Sequence, residues 1–427
     1  MNIQKLKIQF LNRDHSVSWQ FLYIPVLESS FLVFLLGFHF SVSSSYFLKM
    51  MINFQGLAKL KASQVIFEDA FVASDPGTLE QLKELSCRRR SIEFINKNSC
   101  VTEAIAREMS GGLTSRYEQN IKNVEQYLPL LENLIGCVDL MKGHPRVVGW
   151  VSDLKITWCS PLISSSFFNN RSPKLYQIND LRFELGMALF LYGALLQDLA
   201  REVLCTDLVQ STSLFRKAAG VYHHIAHEVL PNLQHNLPPE RPPEALTTVS
   251  AVFSLICLAE AQAVAAMKAE QKGTTGGLLA KLHYGVSEFL EKALCNMQVA
   301  IKNCKDISSH FMDYISSCKT LHELESYKYL AQSLKNDGQT GAAIGVLHFA
   351  LKSKQKHKPK EESWRSVYNQ IIDSMTALLQ KYERENEVVW HQKIPAPHQL
   401  PSPEGVKIVS CIPYQPQKWE RSLVFKI

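Results

Sequence analysis

Two histidines have the spacing in this chain that comes nearest to a catalytic or metal-binding arrangement. His223 and His227 are four residues apart, which would place both imidazoles on one face of a helix. The glutamate that directly follows the first histidine in zinc proteases is missing, and no third ligand is evident nearby in the sequence. A metal-dependent site and a solvated polar face both fit these residues, and the pattern favours the polar face.

The other candidates for chemistry are weaker. Residues 110–112 and 276–277 contain paired glycines but lack the lysine and serine or threonine of a phosphate-binding loop. Cys257 lies between Ile256 and Leu258 in an apolar segment, which is typical of a buried thiol and not of a nucleophile. No serine elbow or pair of carboxylates stands out. We therefore expect a protein that is not an enzyme and that has no cofactor, metal or small-molecule substrate.

A surface for another protein is predicted between residues 245 and 294. A long apolar helix ends at residues 272–277, and a second helix starts directly afterwards. Leu278 and Leu282 are four residues apart and so share one face of that helix, with the Lys281 ammonium beside them. We call these three residues the leucine–lysine patch. It suits an amphipathic helix with an acidic flank, although leucines at this spacing are also typical of a core.

Helical patterns that could position the patch cover most of the chain. Apolar residues from Tyr117 to Val138 alternate spacings of four and three, which predicts one amphipathic helix with a kink at Pro129. Residues 187–196 are apolar almost without interruption, which indicates a central core helix. A further helix is predicted at about 213–229, and others at 307–335, 340–354 and 361–387. Gly338 fits the turn of a tetratricopeptide-type hairpin.

Extended or irregular segments are predicted elsewhere. Residues 63–72 predict a short strand or an extended entry, and residues 143–172 are predicted to be irregular. From Val388 onwards, closely spaced prolines predict an extended C-terminal strap in which residues 406–409 alone have a strand-like pattern. The predicted fold class is all-α, with short strand elements near the start and a Pro-rich strap at the end.

The bulk composition limits the class of protein. With 46% hydrophobic and 20% charged residues among 427, the chain has ample material for a globular core. The net charge of +6 slightly favours acidic partners or an anionic membrane surface. Basic runs at residues 88–90 and 352–360 fit solvated faces or a membrane surface. They lack interleaved aromatic residues, so no nucleic-acid partner is expected. The ten cysteines form no CxxC pair, which favours a reducing compartment.

The N-terminal region is harder to interpret. From Ser29 to Leu48 there is no charged residue, which approaches the length of a membrane span, although His39 and six serines weaken that interpretation. A membrane anchor, a buried apolar segment and translated sequence that the functional protein lacks all fit. The third interpretation is favoured because Met50 and Met51 follow at once.

Four separated stretches resemble signatures of the BRO-one domain family, whose members include Alix, its yeast counterpart and BROX. They are residues 215–222, which resemble "KAAGxF/Y"; 256–264, "LAQAQEV"; 278–282, "IIAKL"; and 384–395, "DNxFIYxxxVP". The chain looks like the plant-type, BROX-like members that are little more than this domain. The resemblance assigns residues 54–427 to one BRO-one-like domain and leaves residues 1–53 outside the family pattern.

The resemblance implies a curved, banana-shaped helical domain with a tetratricopeptide-like core. It also implies a non-enzymatic, cytoplasmic and endosome-associated scaffold that binds the C-terminal amphipathic helix of ESCRT-III subunits during multivesicular-body sorting. Ala265 stands where Alix-like members have an aromatic residue, which implies a shallower groove floor. The partner-binding positions that the resemblance assigns are Leu278, Lys281, Leu282, Lys268 and, by a looser match, Phe167.

Two other hypotheses stay open from the sequence. A membrane-anchored helical adaptor would use residues 29–48 as its anchor, and a metal-dependent enzyme would be centred on His223 and His227. A peripheral contact with the endosomal membrane is compatible with the basic runs. The prenylation box of animal BROX-like proteins has no counterpart at the end of this chain, so no C-terminal lipid is expected.

Overall fold

The computed structural model describes residues 5–11, 17–23, 52–54, 56–93, 115–141, 143–163, 174–233, 237–354, 358–417 and 421–426. The apolar run at residues 29–48 and the predicted site residue Phe167 lie outside these described residues. Contacts between Cα atoms divide the chain into two compact units, Met1–Met50 and Met51–Ile427.

The first unit contains a two-stranded antiparallel sheet. Strand β1 (Lys5–Leu11) pairs with β2 (Val17–Tyr23), so that Lys5 lies opposite Tyr23 and Leu11 opposite Val17. No strand was predicted from the sequence there.

The second unit consists mainly of helices that follow one another along the chain, as an all-α class predicts. They are α1 (Phe67–Ala70), α2 (Pro76–Glu93), α3 (Arg116–Leu140), α4 (Pro145–Asp153), α5 (Leu181–Glu202), α6 (Leu208–His224), α7 (Thr247–Gln271), α8 (Gly276–Asn303), α9 (Ser309–Asn336), α10 (Thr340–Lys354) and α11 (Glu362–Glu385). From α2 onwards, apart from α4, each helix packs against the next one in the chain. This sequential packing is the arrangement of helical-repeat proteins.

Two predictions near the start of the unit are wrong in part. Residues 63–72 include the one-turn helix α1, which forms because Phe67 is buried and donates its backbone N–H to Ser86 Oγ at 2.8 Å. The region 143–172 contains α4 and the strand β3 (Thr157–Cys159), which pairs antiparallel with β4 (Leu175–Gln177). Strands of three residues are too short to show an alternating pattern.

A buried ionic group joins the first helices of the unit. Glu184 on α5 accepts hydrogen bonds from Arg89 on α2, from Tyr127 OH at 2.9 Å and from Trp158 Nε1 at 2.6 Å. Arg89 and Glu184 are both fully buried. The prediction that the basic run 88–90 is a solvated face or a membrane surface is therefore wrong for Arg89, because the Glu184 carboxylate satisfies its charge within the core.

The most apolar helices form the core. Two helical segments, Leu181–Cys205 and Thr247–Gln271, are long and apolar enough to cross a membrane, but 89% and 78% of their apolar windows are buried inside the protein. The prediction of a central core helix at residues 187–196 is confirmed by α5. Helix α6 starts five residues before the predicted 213, because Asp207 accepts the backbone N–H groups of Val209 and Gln210 at 2.8 and 3.0 Å.

The turn predicted around Gly338 connects α9 to α10. Gly338 has a φ of +77°, in the left-handed region that favours glycine. Its N–H donates to Lys335 O at 3.1 Å, and the next N–H, of Gln339, donates to Leu334 O at 2.8 Å. These bonds close the end of α9 and begin a helical hairpin, as the tetratricopeptide-type pattern predicts.

The strap begins later than the predicted Val388, because Asn386–Trp390 forms a π-helical turn at the end of α11. From residue 392 the strap, which we define as residues 392–417 and 421–426, is mainly extended and runs back across the helices. It contacts α10 where Gly341 N–H donates to Gln392 Oε1 at 2.9 Å, and α8 where Val406 N–H donates to Lys281 O at 3.1 Å. It reaches α6 at Arg216 O, which accepts the N–H of Ile412 at 3.0 Å. Residues 406–409 have no strand partner among the described residues, because their backbone groups bond to the helices.

Glycines lie under the strap at several of these crossings. A Cβ on Gly220 of α6 would lie 2.8 Å from the carbonyl carbon of Ile412 and closer still to its oxygen. A Cβ on Gly285 of α8 would lie 3.0 Å from the carbonyl carbon of Val406. The strap backbone therefore rests directly on the helix surfaces, at distances that only glycine permits.

Candidate docking surface

Helices α7 and α8 form the hairpin that carries the leucine–lysine patch. Gly273 in the turn has a φ of +71°, and its N–H donates to Glu270 O at 2.8 Å, which closes the end of α7. Thr275 O accepts the N–H groups of Leu278 and Leu279 at 3.1 Å, which starts α8. The turn therefore brings Lys268 to the same end of the hairpin as the patch.

The patch lies only partly at the surface. Leu278 is 43% exposed and Lys281 is exposed, but Leu282 is 2% exposed. The prediction that both leucines face solvent is wrong for Leu282. Helix α8 packs against both α7 and α9, so its exposed strip is too narrow to hold two leucines on one face. One apolar side chain of the patch is available to a partner.

The remaining predicted residues on α7 frame this strip. Lys268 and Ala265 are both half-buried. Among the described residues neither Lys268 nor Lys281 forms an ion pair. Burial raises the pKa of the neighbouring Glu270 carboxyl, against a weaker opposite effect of its hydrogen bond with Tyr329. Between residues 265 and 282, Lys268, Lys272 and Lys281 outnumber Glu270, so this end of the hairpin has a net positive charge.

Side-chain hydrogen bonds show which residues of α6, α7 and α8 lie at the same position along the helix axes. Ser254 Oγ donates to Ala219 O at 2.9 Å, and Gln262 Nε2 donates to Leu282 O at 2.9 Å. Ala265 lies three residues after Gln262, and Leu278 lies four residues before Leu282. Because α7 and α8 run in opposite directions, Ala265 and Leu278 lie at nearly the same position along the helix axes.

Helix α6 adds a residue that sequence reasoning missed. Val209 lies ten residues before Ala219, and Ala265 lies eleven residues after Ser254, which bonds to Ala219. Val209 and Ala265 are therefore at nearly the same position along the helix axes, and Val209 is 55% exposed. Residues 209, 213, 216 and 220 have spacings of four, three and four, so Val209 shares the helix face on which Gly220 meets the strap. The sequence alone does not show that Gly220 lies under the strap. With that position known, the helical spacing indicates that Val209 lies on the same face of α6.

These residues form one surface, which we call the docking shelf. It consists of Val209 on α6, Ala265 and Lys268 on α7, and Leu278 and Lys281 on α8. Its centre is apolar and its edge carries two ammonium groups. An amphipathic helix with acidic residues beside its apolar face has the complementary pattern.

A pair of buried histidines lies below this end of α8. The Nδ1 atoms of His283 on α8 and His322 on α9 are 3.1 Å apart, so one imidazole donates to the other. Burial lowers the pKa of His322 to about 4 and lowers that of His283 well below its ordinary value. Both rings are therefore neutral near pH 7 and join the two helices by a hydrogen bond.

The predictions for the His223 and His227 pair and for Cys257 can be compared with the structure. The rings of His223 and His227 do lie together, 4.0 Å apart, and His227 Nδ1 donates to His223 O at 2.8 Å. The described part of the chain contains no group of three or more His, Cys, Asp or Glu that could hold a metal ion. Cys257 is fully buried, which confirms the prediction of a buried thiol, and its burial raises the pKa of the thiol.

Comparison with known proteins identifies the family. The sequence model of the BRO1-like domain matches residues 107–426, about three quarters of the chain. The chain belongs to the BRO1-like domain family. The resemblance to BRO-one proteins is thereby confirmed.

The curated relatives of this BRO1-like protein differ in length. Human BRO1 domain-containing protein BROX is 26% identical over 379 residues, which cover 83% of this chain and 85% of BROX. Programmed cell death 6-interacting protein of Xenopus laevis is 23% identical over 313 residues, 72% of this chain and 33% of that protein. The chain spans about a third of the length of the first curated relatives that it matches.

Solved structures show the same fold. The structure described as an ALIX BRO1 CHMP4C complex aligns with a TM-score of 0.63 at 17% identity, over 83% of this chain and 94% of that one. ALIX in complex with the SIVmac239 PYKEVTEDL late domain also aligns with a TM-score of 0.63 at 17% identity, over 83% and 48% of the two chains. At this identity the likeness establishes the fold, and the all-α prediction is confirmed.

Proposed function

We propose that this BRO1-like domain is a non-enzymatic scaffold of ESCRT-related endosomal sorting, and that its docking shelf binds the C-terminal amphipathic helix of an ESCRT-III subunit. BRO1-like relatives include a vacuolar protein-sorting protein, and one structural neighbour is a complex with CHMP4C, an ESCRT-III subunit. The observation that carries the proposal is an exposed leucine, Leu278, with Lys268 and Lys281 at the same end of the hairpin and unpaired among the described residues.

The size of the apolar contribution follows from exposure. Full burial of a leucine or valine side chain stabilises by roughly 1.5–3 kcal/mol. Since Leu278 and Val209 expose about half of their surface, covering both would contribute on the order of 1–3 kcal/mol in total. Leu282 adds nothing further because it is already buried in the free protein. Affinity must therefore depend on several small contacts across the shelf.

The two lysines fix the orientation of the partner. Lys281 is exposed and Lys268 is half-buried, both at the end of the hairpin that carries Leu278, where acidic residues of a docked helix would lie. Exposed pairs of this kind contribute less than about 1 kcal/mol each, and they act mainly on the association rate and on specificity. We expect binding to weaken as ionic strength rises.

The test uses Leu278→Asp in the full chain and a fluorescent peptide covering the C-terminal helix of CHMP4C. We expect Leu278→Asp to weaken binding by about tenfold or more, because it removes the apolar contact and places a carboxylate against an acidic partner. The matched control is Leu140→Asp, at the exposed end of α3. Binding by Leu278→Asp at the strength of the control would reject the proposed site.

The proposed setting is the cytoplasm, with association at endosomes. Part of the basic run at residues 352–360 is not free for a membrane surface, because Lys360 Nζ pairs with Asp313 at 2.9 Å. Lys352 and Lys358 are exposed, and they remain candidates for a peripheral contact with anionic lipid.

A further inference from the structure

The end of α11 carries three consecutive apolar residues that face solvent. Val388 is 78% exposed, Val389 60% and Trp390 49%. They belong to the π-helical turn Asn386–Trp390, in which Glu387 is also exposed. Consecutive residues of a helix point about 100° apart, so four exposed residues in a row cover most of its circumference. The turn therefore protrudes from the protein. We call Val388, Val389 and Trp390 the apolar tip.

Hydrogen bonds hold this turn in place although its side chains face outwards. His391 ends the turn with a φ of +47°, and its N–H donates to Asn386 O at 2.7 Å. The Asn386 side chain bonds to the N–H and the O of Gln392 at 3.0 and 2.9 Å. Gln392 Nε2 in turn donates to Gly338 O at 2.7 Å, in the turn after α9. A residue other than glycine adopts the left-handed region only where its surroundings hold it there, so the apolar tip has a fixed shape.

Trp390 is supported on one face of its ring. Lys335 Nζ lies 5.0 Å from the centre of the indole and pairs with Glu385 at 2.7 Å. The rest of the ring is available to another surface, because half of the residue is exposed. Tryptophan combines an apolar ring with an N–H donor, and it is enriched at the boundary between lipid and water for that reason.

Two exposed cations flank the apolar tip. Arg384 precedes it on α11, and Lys393 follows it in the strap. Neither forms an ion pair among the described residues, whereas Glu383 and Glu385 bond to side chains of α10 and α9. Glu387 offsets these cations in part. Cations beside an exposed apolar surface attract anionic lipid headgroups.

The apolar tip lies at the end of the helix array that carries the docking shelf. A Cβ on Gly276, the first residue of α8, would lie 3.1 Å from Tyr329 O near the end of α9. The turn after α9 is bonded to Gln392, beside the tip. A surface that receives the tip therefore approaches the end of the array at which Leu278 lies.

We infer that the apolar tip inserts between the headgroups of an anionic phospholipid bilayer, with Arg384 and Lys393 against the phosphates. A bilayer deforms around a protruding turn, whereas a protein partner would need a cavity of matching shape. A few apolar side chains with two cations give a weak and reversible attachment. This contact lies at the opposite end of α10 from Lys352 and Lys358, and it does not require a partner on the docking shelf.

The experiment uses the full chain and sedimentation with vesicles of phosphatidylcholine, either alone or mixed about three to one with phosphatidylserine. The unsubstituted chain should bind the mixed vesicles at least about fivefold more strongly than the neutral ones. Val388→Asp should weaken binding to the mixed vesicles by about tenfold or more, because it places a carboxylate among anionic headgroups. The matched control is Val299→Asp, at an exposed valine on the far part of α8, and it should bind within about twofold of the unsubstituted chain. Circular dichroism checks that both variants are folded.

Quenching by brominated lipid tests whether Trp390 enters the bilayer. The chain has six tryptophans, so the difference in quenching between the unsubstituted chain and Trp390→Phe isolates this one ring. We expect most of the quenching to disappear in Trp390→Phe, while this variant still binds the vesicles because phenylalanine keeps the apolar surface.

Three results would overturn the inference. They are no binding of the unsubstituted chain to the mixed vesicles, equal binding by Val388→Asp and Val299→Asp, and loss of binding in Lys358→Glu but not in Val388→Asp. The first would leave a protein as the partner of the tip, and the last would place the lipid contact at the basic run. The vesicle assays contain no ESCRT-III peptide, so their failure is separate from a failure of the proposed function, which Leu278→Asp tests.

Discussion

Gly220→Ala tests whether the strap rests on the helices as closely as the structure indicates. The new methyl group would lie 2.8 Å from the carbonyl carbon of Ile412 and 3.3 Å from the Tyr414 nitrogen. These are backbone atoms that cannot rotate away. Because ordinary contacts begin near 3.4 Å and the Ile412 carbonyl oxygen would lie nearer still than its carbon, the strap must move outwards by more than an ångström at α6.

The cost can be worked out from the bonds at this crossing. Ile412 N–H donates to Arg216 O at 3.0 Å, and Arg216 Nε donates to Ser410 O at 2.7 Å. Overpacking costs typically about 1–3 kcal/mol, and a lost hydrogen bond about 0.5–1.5 kcal/mol. Alanine recovers up to about 1 kcal/mol through its higher helix propensity. We therefore expect the free energy of unfolding to fall by roughly 1–3 kcal/mol.

The matched control is Gly136→Ala, inside α3, where an added Cβ meets nothing within 4 Å. There alanine should raise the free energy of unfolding by up to about 1 kcal/mol. Urea unfolding followed by circular dichroism measures both variants, and limited proteolysis reports whether the strap of Gly220→Ala is cut faster. An unfolding midpoint for Gly220→Ala equal to that of Gly136→Ala would refute the close contact between strap and helix.

Two further predictions concern α8 and the helix packed against it, α9. Leu282→Ala should lower the free energy of unfolding by about 2–5 kcal/mol, and Leu278→Ala by less than about 1 kcal/mol; equal losses in urea titrations would contradict their different burial. Unfolded histidines bind protons below about pH 6.5, whereas native His322 stays neutral to about pH 4. Between these two values the unfolded chain therefore binds more protons than the native chain. As the pH is lowered through this window, the free energy of unfolding should decrease by up to about 1.4 kcal/mol per pH unit for each buried histidine. His322→Gln should flatten that slope in urea midpoints measured at pH 7, 6 and 5.

Long helices were predictable because their patterns repeat over many residues. The apolar run at 187–196 required a buried helix whatever lay around it, and α5 provides one. Elements of three or four residues, such as α1 and β3, have too few positions for a period to show. Arg89 was misjudged for another reason: the carboxylate that allows its burial is Glu184, 95 residues away.

The site was predictable only in part, because exposure depends on neighbours that the spacing of two residues does not reveal. Leu278 and Leu282 share a helix face, yet α8 packs between α7 and α9 and leaves only Leu278 outside. The spacing of the two leucines shows that they share a face of α8, but it does not show how much of that face is exposed to solvent. Val209 was missed because it shares a helix face with Gly220, and the sequence does not show that the strap lies over that glycine.

The strap links the stability of the fold to the shape of the candidate site. Gln262 is fully buried and bonds at once to α8, through Leu282 O, and to the strap, through Val406 O and Ile408 N. A buried amide with all of these partners is costly to leave unsatisfied, so the hairpin and the strap hold each other in register. Glycines allow that register by letting the strap lie against the helices. The same bonds hold the strap against the helix hairpin that carries Leu278, so the strap stabilises the elements that position the candidate site.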